Sequence, residues 1–520
     1  MNNKTQLNEK WRKFLLLAVL FAVVSILVLK YMTVAALWHD EAFSVLMIKY
    51  PFSEMFRRLA LDVHPPFYYI AFRGWAAIFT SSVFSLRLFS LFCYLIFGLG
   101  LWLLLRRYFK FWQSYALLAL TMLNPFLLSY AMEGRMYTLG LLLLVFAVYF
   151  MQRALEEKKY CFFLISGVFG GLAALTQYFL IFSLIGLFFY SLIKLIKAKA
   201  KKEYIFWLLG WLLTLLVFAL WAKEFLSQLK MVEASYWIPK MKWYSPFSSL
   251  VNLLLNEKGN LNLSITPSFR NILILIWSYL TLFSSLFLLI RTIVLKKIRQ
   301  KNSVTLFLFL FITPFALAIA SGIKQSLYLD RYFVFATPFY VLLLGISLFN
   351  LPKRIWKIAF YLFLILSFLF SYCSFWKEKI KTPFPGMKGA SDYIVQNLGE
   401  RNKVLSDSSF VYFTAKYYLL GKTPVYLYTT GEVSHFSGNA LLSPSDIKNN
   451  LNDLKPDEYF VISTTGFGGK AFVAPENWLL VSRKTFRDFN SVRGEIYVDE
   501  YMVGIGGGSS GFGILSMPML

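Results

Sequence analysis

The chain has 520 residues, of which 58% are hydrophobic and 15% charged, and its mean hydropathy is +0.58; these values exclude an ordinary soluble globular protein. The formal net charge of +26 does not mark a nucleic-acid binder, because Lys and Arg stand in short clusters between apolar runs, the pattern of cytoplasmic membrane-protein loops. Cys93, Cys161 and Cys373 all lie inside apolar runs, which excludes a disulfide framework.

The first apolar run, Phe14 to Leu37, follows Lys10, Arg12 and Lys13 and has no small-residue cleavage site, so it reads as a retained anchor. A helix needs about twenty apolar residues to cross the hydrocarbon core. Further candidate spans run from Phe84 to Leu105, Trp112 to Ala131, Met136 to Leu155, Tyr160 to Thr176, Tyr178 to Ile196 and Tyr204 to Trp221. Beyond them come Ile272 to Ile290, Val304 to Ala320, Phe333 to Phe349 and Ile355 to Phe375, which brings the total to eleven. Phe67 to Thr80 is apolar but short and carries Arg73. Laid along the outer interface, it leaves Arg106 to Lys110, Lys158-Lys159, Lys194 to Lys202, Lys296 to Lys301 and Lys353-Arg354 together on the cytoplasmic side. The amino terminus is then cytoplasmic, and everything beyond Phe375 is extracytoplasmic.

Three stretches face the outer compartment on this topology: His39 to Val83, Lys223 to Arg270, and the tail from Trp376. The first holds short amphipathic pieces, Ala42 to Tyr50 and Ser53 to Leu61, suited to interfacial helices. In the second, Tyr236, Trp237, Trp243 and Tyr244 read as an interfacial aromatic belt or a lid. The third has short strand patterns at Lys403 to Ser406, Val425 to Tyr428 and Tyr459 to Ile462, between helical patterns at Ala390 to Leu398, Ser409 to Leu420 and Ser445 to Leu454. It reads as a small α/β domain over 376–503, with 1–375 as the membrane domain and 504–520 as a flexible Gly-rich tail. Gly506 to Gly511 matches a phosphate-loop pattern by letter, but too few residues follow to form the helix such a loop needs.

Ionisable residues gather near the outer face from four regions: His39, Asp40 and Glu41; His64; Glu133 and Arg135; and Asp330, Arg331 and Tyr332. Charges at membrane depth are costly and mark functional sites. Asp40 and Glu41 are adjacent, so they point in different directions. Placed after a span, they also oppose the negative end of its helix dipole, a misfit that favours a functional reading. His39, Asp40 and His64 form a candidate ligand set for a divalent cation, although their spacing matches no defined metal motif. Arg135 and Arg331 are permanent planar cations suited to gripping phosphate.

The ordered series Asp40-Glu41, His64-Pro65-Pro66, Asn124-Pro125 with Glu133-x-Arg135-x-Tyr137, and Arg331-Tyr332 before Pro338 resembles the membrane glycosyltransferases of the GT-C superfamily. The likeness is to bacterial members related to protein O-mannosyltransferases and aminoarabinose transferases, and covers about residues 10 to 350. It implies an α-helical polytopic membrane fold with about eleven spans, interfacial helices and a C-terminal extracytoplasmic α/β domain. It also implies transfer of a sugar from a polyprenyl-phosphate carrier to an extracytoplasmic glycan, lipid or protein, with inversion at the anomeric carbon. The family's catalytic carboxylate maps onto Asp40.

The chemistry agrees with that expectation. Sugar transfer from a phosphate passes through an oxocarbenium-like state, and the acceptor hydroxyl must lose a proton. Asp40 is the expected base, with Glu41 beside it. Arg331, Arg135 and His64 are expected to neutralise the departing phosphate, with Glu133, Tyr137 and Tyr332 completing the donor site. Asp40→Asn is expected to abolish transfer and Asp62→Asn is not. The alternative is a lipid-linked saccharide transporter, which would carry its charges at mid-span instead of at the outer edge.

Overall fold

The computed structural model describes residues 3–32, 34–199, 201–234, 238–256, 269–294, 300–323, 325–380, 385–399, 403–434, 437–488 and 494–503. The Gly-rich stretch 506–511, Tyr236, Trp237 and most of the basic cluster 296–301 lie outside the described residues. The chain divides into two compact units, Met1–Val34 with Met47–Thr382, and Ala35–Leu46 with Pro383–Leu520.

Along the chain the helices are α1 (Asn3–Met32), α2 (His39–Met47), α3 (Phe52–Ala60), α4 (Phe67–Phe79), α5 (Val83–Tyr108), α6 (Phe111–Met122) and α7 (Pro125–Ala131). There follow α8 (Tyr137–Glu157), α9 (Cys161–Ala174), α10 (Leu180–Ala198), α11 (Lys201–Ala219), α12 (Ala222–Ala234) and α13 (Ser245–Leu255). The first unit closes with α14 (Phe269–Val294), α15 (Lys301–Ser321), α16 (Thr337–Phe349) and α17 (Arg354–Ile380). Among the described residues eight helices are long and apolar enough to cross a membrane, and α6 with α7, bent by 63°, meets the same test only as a pair, which makes up to nine.

These nine fall where spans were expected. The other two expected spans, 160–176 and 333–349, are α9 and α16, which have only 14 and 13 residues. The chain before α16 winds as a 3₁₀ turn over Asp330–Phe335, which postpones the helix to Thr337. Thr337 to Leu348 are all buried, so α16 is a core helix, apolar all round because no side of it meets water. The stretch expected to be one long loop after Lys223 instead contains α12 and the 11-residue α13, whose Ser249 to Leu255 are buried. A helix that short escapes a span criterion of about twenty residues. Trp243, in the candidate aromatic lid, is 82% exposed.

Helices in a membrane approach closely where small residues line the contact. A Cβ on Gly167 of α9 would collide with the Gly210 carbonyl of α11, and one on Gly210 would lie 2.5 Å from the Phe163 oxygen. The Thr214 hydroxyl donates to the Gly167 carbonyl at 3.1 Å and locks this crossing.

The bend between α6 and α7 is written in Asn124-Pro125. Pro125 has no N–H to continue a helix, and the Asn124 side chain accepts from Leu127 N at 2.9 Å as an N-cap. Carbonyls released inside a membrane must find partners within the protein. Tyr94 OH donates to Met122 O at 3.0 Å, Tyr372 OH donates to Leu123 O, and Asn124 Nδ2 reaches Leu253 O at 3.0 Å. The carbonyls of Met122 and Leu123 at the break therefore both have partners.

The second unit contains α2, α18 (Gly386–Gln396), α19 (Ser409–Tyr418) and strands β1 (Lys403–Ser406), β2 (Val425–Tyr428), β3 (Ile447–Lys448), β4 (Asp457–Thr464), β5 (Trp478–Arg487) and β6 (Glu495–Val503). They form one sheet in the order β3-β2-β1-β4-β6-β5. β3, β2, β1 and β4 are parallel, whereas β6 and β5 add antiparallel. The three expected strands are β1, β2 and β4. The helix expected over Ser445 to Leu454 is replaced by 3₁₀ turns at Pro444–Asp446 and Leu451–Asp453 around β3. Its Asn and Asp residues are the reason, since their side chains compete for the backbone: Asp446 accepts from Ser443 N at 2.9 Å and Asn450 from Asn452 N at 3.0 Å.

Candidate functional site

In the first unit the site begins with the turn that connects α7 to α8. Arg135 N donates to Glu133 O at 2.8 Å. The Glu133 carbonyl also accepts from Ser90 Oγ of α5 at 2.7 Å, and the Gly134 carbonyl accepts from Tyr68 OH of α4 at 2.8 Å. A Cβ on Gly134 would run into Leu86, so only glycine lets this turn sit so close to α5. The Arg135 side chain is then buried, with 2% of the residue exposed.

Arg135 Nη2 lies 3.1 Å from His64 Nε2, and His64 Nδ1 lies 2.8 Å from Asp62 Oδ2. A guanidinium can only donate, so Nε2 accepts, the proton sits on Nδ1, and that N–H donates to Asp62. Asp62 is 4% exposed. The result is a directed chain in which a buried carboxylate orients a neutral imidazole, and the imidazole holds one edge of Arg135. The loop is anchored from two sides: Phe67 N donates to Leu175 O at 2.9 Å, and Gln228 Nε2 of α12 donates to Leu59 O at 2.9 Å. Gln228 Oε1 accepts from Tyr178 OH at 2.5 Å. Burial pushes the Tyr178 phenol above its ordinary range, and Asp62 and Glu224 lie within electrostatic reach of it.

A second group forms around the 3₁₀ turn. Asp330 accepts from Ser249 Oγ and, at 2.8 Å, from Asn252 Nδ2, both on α13. Its carboxylate therefore ties the turn to a helix that the sequence had not announced. Tyr332 stacks on Phe179 with centroids 3.6 Å apart and planes at 12°, and the Arg331 guanidinium carbon is 5.5 Å from the Tyr332 ring. Tyr137 packs at 4.6 Å against Tyr130, which is within electrostatic reach of Glu133, Arg331 and Asp330. Within this unit His64, Glu133, Arg135, Tyr137 and Arg331 thus belong to two adjoining networks.

His39, Asp40 and Glu41 belong to the second unit. α1 ends at Met32 and a new helix starts at His39, so both carboxylates lie in the first turn of α2. Their placement against a helix C-terminus is corrected: the positive end of α2 favours them. Glu41 is 1% exposed, and its carboxylate accepts from Trp38 N at 3.4 Å. Asp40 is partly exposed. The His39 ring packs 5.3 Å from Phe410 and 5.5 Å from Phe413, and Leu37 N donates to Tyr418 OH at 2.9 Å.

The metal set suggested by His39, Asp40 and His64 does not fit. Among the described residues no three His, Cys, Asp or Glu side chains converge as metal ligands, and the Nε2 lone pair of His64 is taken by Arg135. Asp62 was missed as a participant. Its signal was the spacing Asp62-Val63-His64, which places a carboxylate within reach of the ring two residues on.

Residues 63–222 match the family of dolichyl-phosphate-mannose-protein mannosyltransferases. No curated protein sequence matches the chain. Among solved structures it is similar to ArnT from Cupriavidus metallidurans in the apo state, with TM-score 0.57 at 13% identity over 93% of this chain and 97% of that one. The same protein bound to undecaprenyl phosphate gives TM-score 0.55 at 13% identity, again over 93% and 97%. This chain therefore has an ArnT-like membrane fold, and its segment 63–222 carries the sequence pattern of the mannosyltransferase family.

Proposed function

We propose that this protein transfers a sugar from a polyprenyl-phosphate carrier to a hydroxyl-bearing acceptor at the extracytoplasmic face of the inner (plasma) membrane, with inversion at the anomeric carbon. The observation that carries this reading is the Asp62–His64–Arg135 chain at the start of the matched segment, with Asp62 and Arg135 buried and His64 partly exposed between them. A guanidinium fixed by an oriented imidazole is a preorganised anion clamp, and such clamps stabilise charge that develops on a leaving group. The ArnT fold supports a lipid carrier, since one ArnT structure holds undecaprenyl phosphate.

In this reading the acceptor oxygen attacks the anomeric carbon while the bond from that carbon to the phosphate oxygen breaks. The bonding pair leaves with the lipid phosphate, whose charge Arg135 and Arg331 neutralise. Asp40 takes the acceptor proton, and Glu41, tied to the Trp38 amide, holds the first turn of α2. Residues 1–375 act as the transferase domain with a cytoplasmic amino terminus, and 376–503 as an extracytoplasmic domain. The test is incubation of purified protein with a panel of polyprenyl-phosphate sugars and a hydroxyl acceptor, with release of lipid phosphate as the signal. Release that requires acceptor and Arg135 supports the assignment; no release from any donor in folded protein would refute it.

A further inference from the structure

The second unit contains a crevice that the proposed transfer does not use. From β1 the chain moves outward to β2 and β3, then returns with β4 on the other side of β1. In open α/β sheets ligands bind beyond the carboxyl ends of the strands, where the strand order reverses. Between the ends of β1 and β4 lies a hollow of about 320 Å³, within the range of small-molecule sites, about 300–1,000 Å³. Asp407 and Ser408 line it after β1, Tyr428 and Thr429 at the end of β2, and Lys470 beyond β4.

The lining is chemically mixed. α19 starts at Ser409 without a side-chain cap, so its first amides, at Ser409 and Phe410, bring the positive end of a helix to the hollow. Lys470 adds a positive charge, whereas Asp407 and Glu432 add carboxyl groups. Among the described residues nothing hydrogen-bonds the buried Oδ1 of Asp407. Burial first, with the charge of Asp499 adding to it against the pull of a backbone hydrogen bond, pushes the Asp407 carboxyl up to about 7. It can then donate or accept near neutral pH.

Each simple ion is opposed by half of this lining. A bare anion meets Asp407 and Glu432, and a bare cation meets the helix end and Lys470. A neutral molecule rich in hydroxyl groups satisfies both halves, and the aromatic residues Phe410 and Tyr428 also line the hollow. We propose that this crevice is a saccharide-binding site of the α/β domain, separate from the transfer chemistry. It stands or falls independently of the donor and of Asp40.

The experiment uses the full chain in detergent and saturation-transfer NMR with the methyl glycosides of glucose, galactose, mannose and N-acetylglucosamine. Inorganic phosphate and calcium chloride serve as competitors. Asp407→Leu removes the carboxyl, Thr429→Trp fills the hollow, and Arg135→Ala reports on the transfer site; thermal unfolding identifies the variants that fold. The expected result is a signal from at least one glycoside, unaffected by Arg135→Ala and weakened at least about tenfold in Kd, or about 1.4 kcal/mol, in a folded crevice variant. The proposal is overturned if wild-type protein binds none of these glycosides. Binding that survives in both crevice variants, or that phosphate or calcium displaces, overturns it equally.

Discussion

His64 Nε2 accepts from Arg135 Nη2 at 3.1 Å while the opposite ring nitrogen donates to Asp62 at 2.8 Å. Because both ring positions are used, His64 orients the guanidinium and cannot also act as a free base or metal ligand. Hydrogen bonds to charged groups are worth about 1.5–3 kcal/mol, so Arg135→Lys should lower kcat/KM about tenfold to a hundredfold. Asp62→Asn, expected from sequence not to abolish transfer, should reduce kcat by a similar factor through the misoriented ring. Steady-state kinetics with a thermal midpoint on the same preparation separates this from misfolding.

Asp40→Asn should cut turnover by about 10²–10⁴, the span of general base catalysis, and leave donor affinity near wild type. Glu41→Gln should instead lower the thermal midpoint, because Glu41 is buried and bonded to the Trp38 amide. A donor titration beside single-turnover kinetics checks both. Normal turnover by Asp40→Asn would remove Asp40 from catalysis.

Arg331→Ala should weaken donor binding more than acceptor binding. The Tyr332 ring, held on Phe179 at 3.6 Å, stays in place without the guanidinium. Equal loss for both substrates in separate titrations would show that Arg331 maintains the 3₁₀ turn instead.

Gly167→Ala should lower the unfolding midpoint in detergent, because its methyl group would collide with the Gly210 carbonyl and overpacking costs about 1–3 kcal/mol. Gly74→Ala is the matched control: a Cβ there meets nothing within 4 Å. It should be neutral or slightly stabilising, since alanine favours a helix interior.

Asp407 has a folded pKa of about 7, above its ordinary value of 3.8, with burial the first cause. The stability it contributes is complete below the lower value and is lost as pH rises through the higher one. The groups bearing on it are Asp499, which adds to the rise, and Arg483, which holds Asp499 at 2.6 Å. Asp407→Asn should therefore narrow the fall in unfolding midpoint of the second unit between about pH 4 and about pH 7. An unchanged pH profile would assign the fall to another group.

Several features could be read from single stretches. The Asn124-Pro125 break follows from a missing amide and a capping side chain, β1, β2 and β4 from short apolar runs, and most spans from length alone. β5 and β6 were not recognised. In β5 only Trp478 is buried, so no alternation marks an edge strand, whereas β6 alternates visibly over Glu495–Val503. The dipole argument for Asp40 failed because the chain stops α1 at Met32 and restarts at His39, which hydropathy does not reveal.

The sequence alone determined that this is a many-spanned membrane protein with a charged α/β tail, because hydrophobic burial accumulates residue by residue along the chain. Only the tertiary structure decided that Asp62 orients His64, that His64 meets Arg135 across 71 residues, and that Asp330 serves α13. Such pairings depend on which helices approach closely enough to bury a charge beside its partner, and that distance is set by packing and not by local composition.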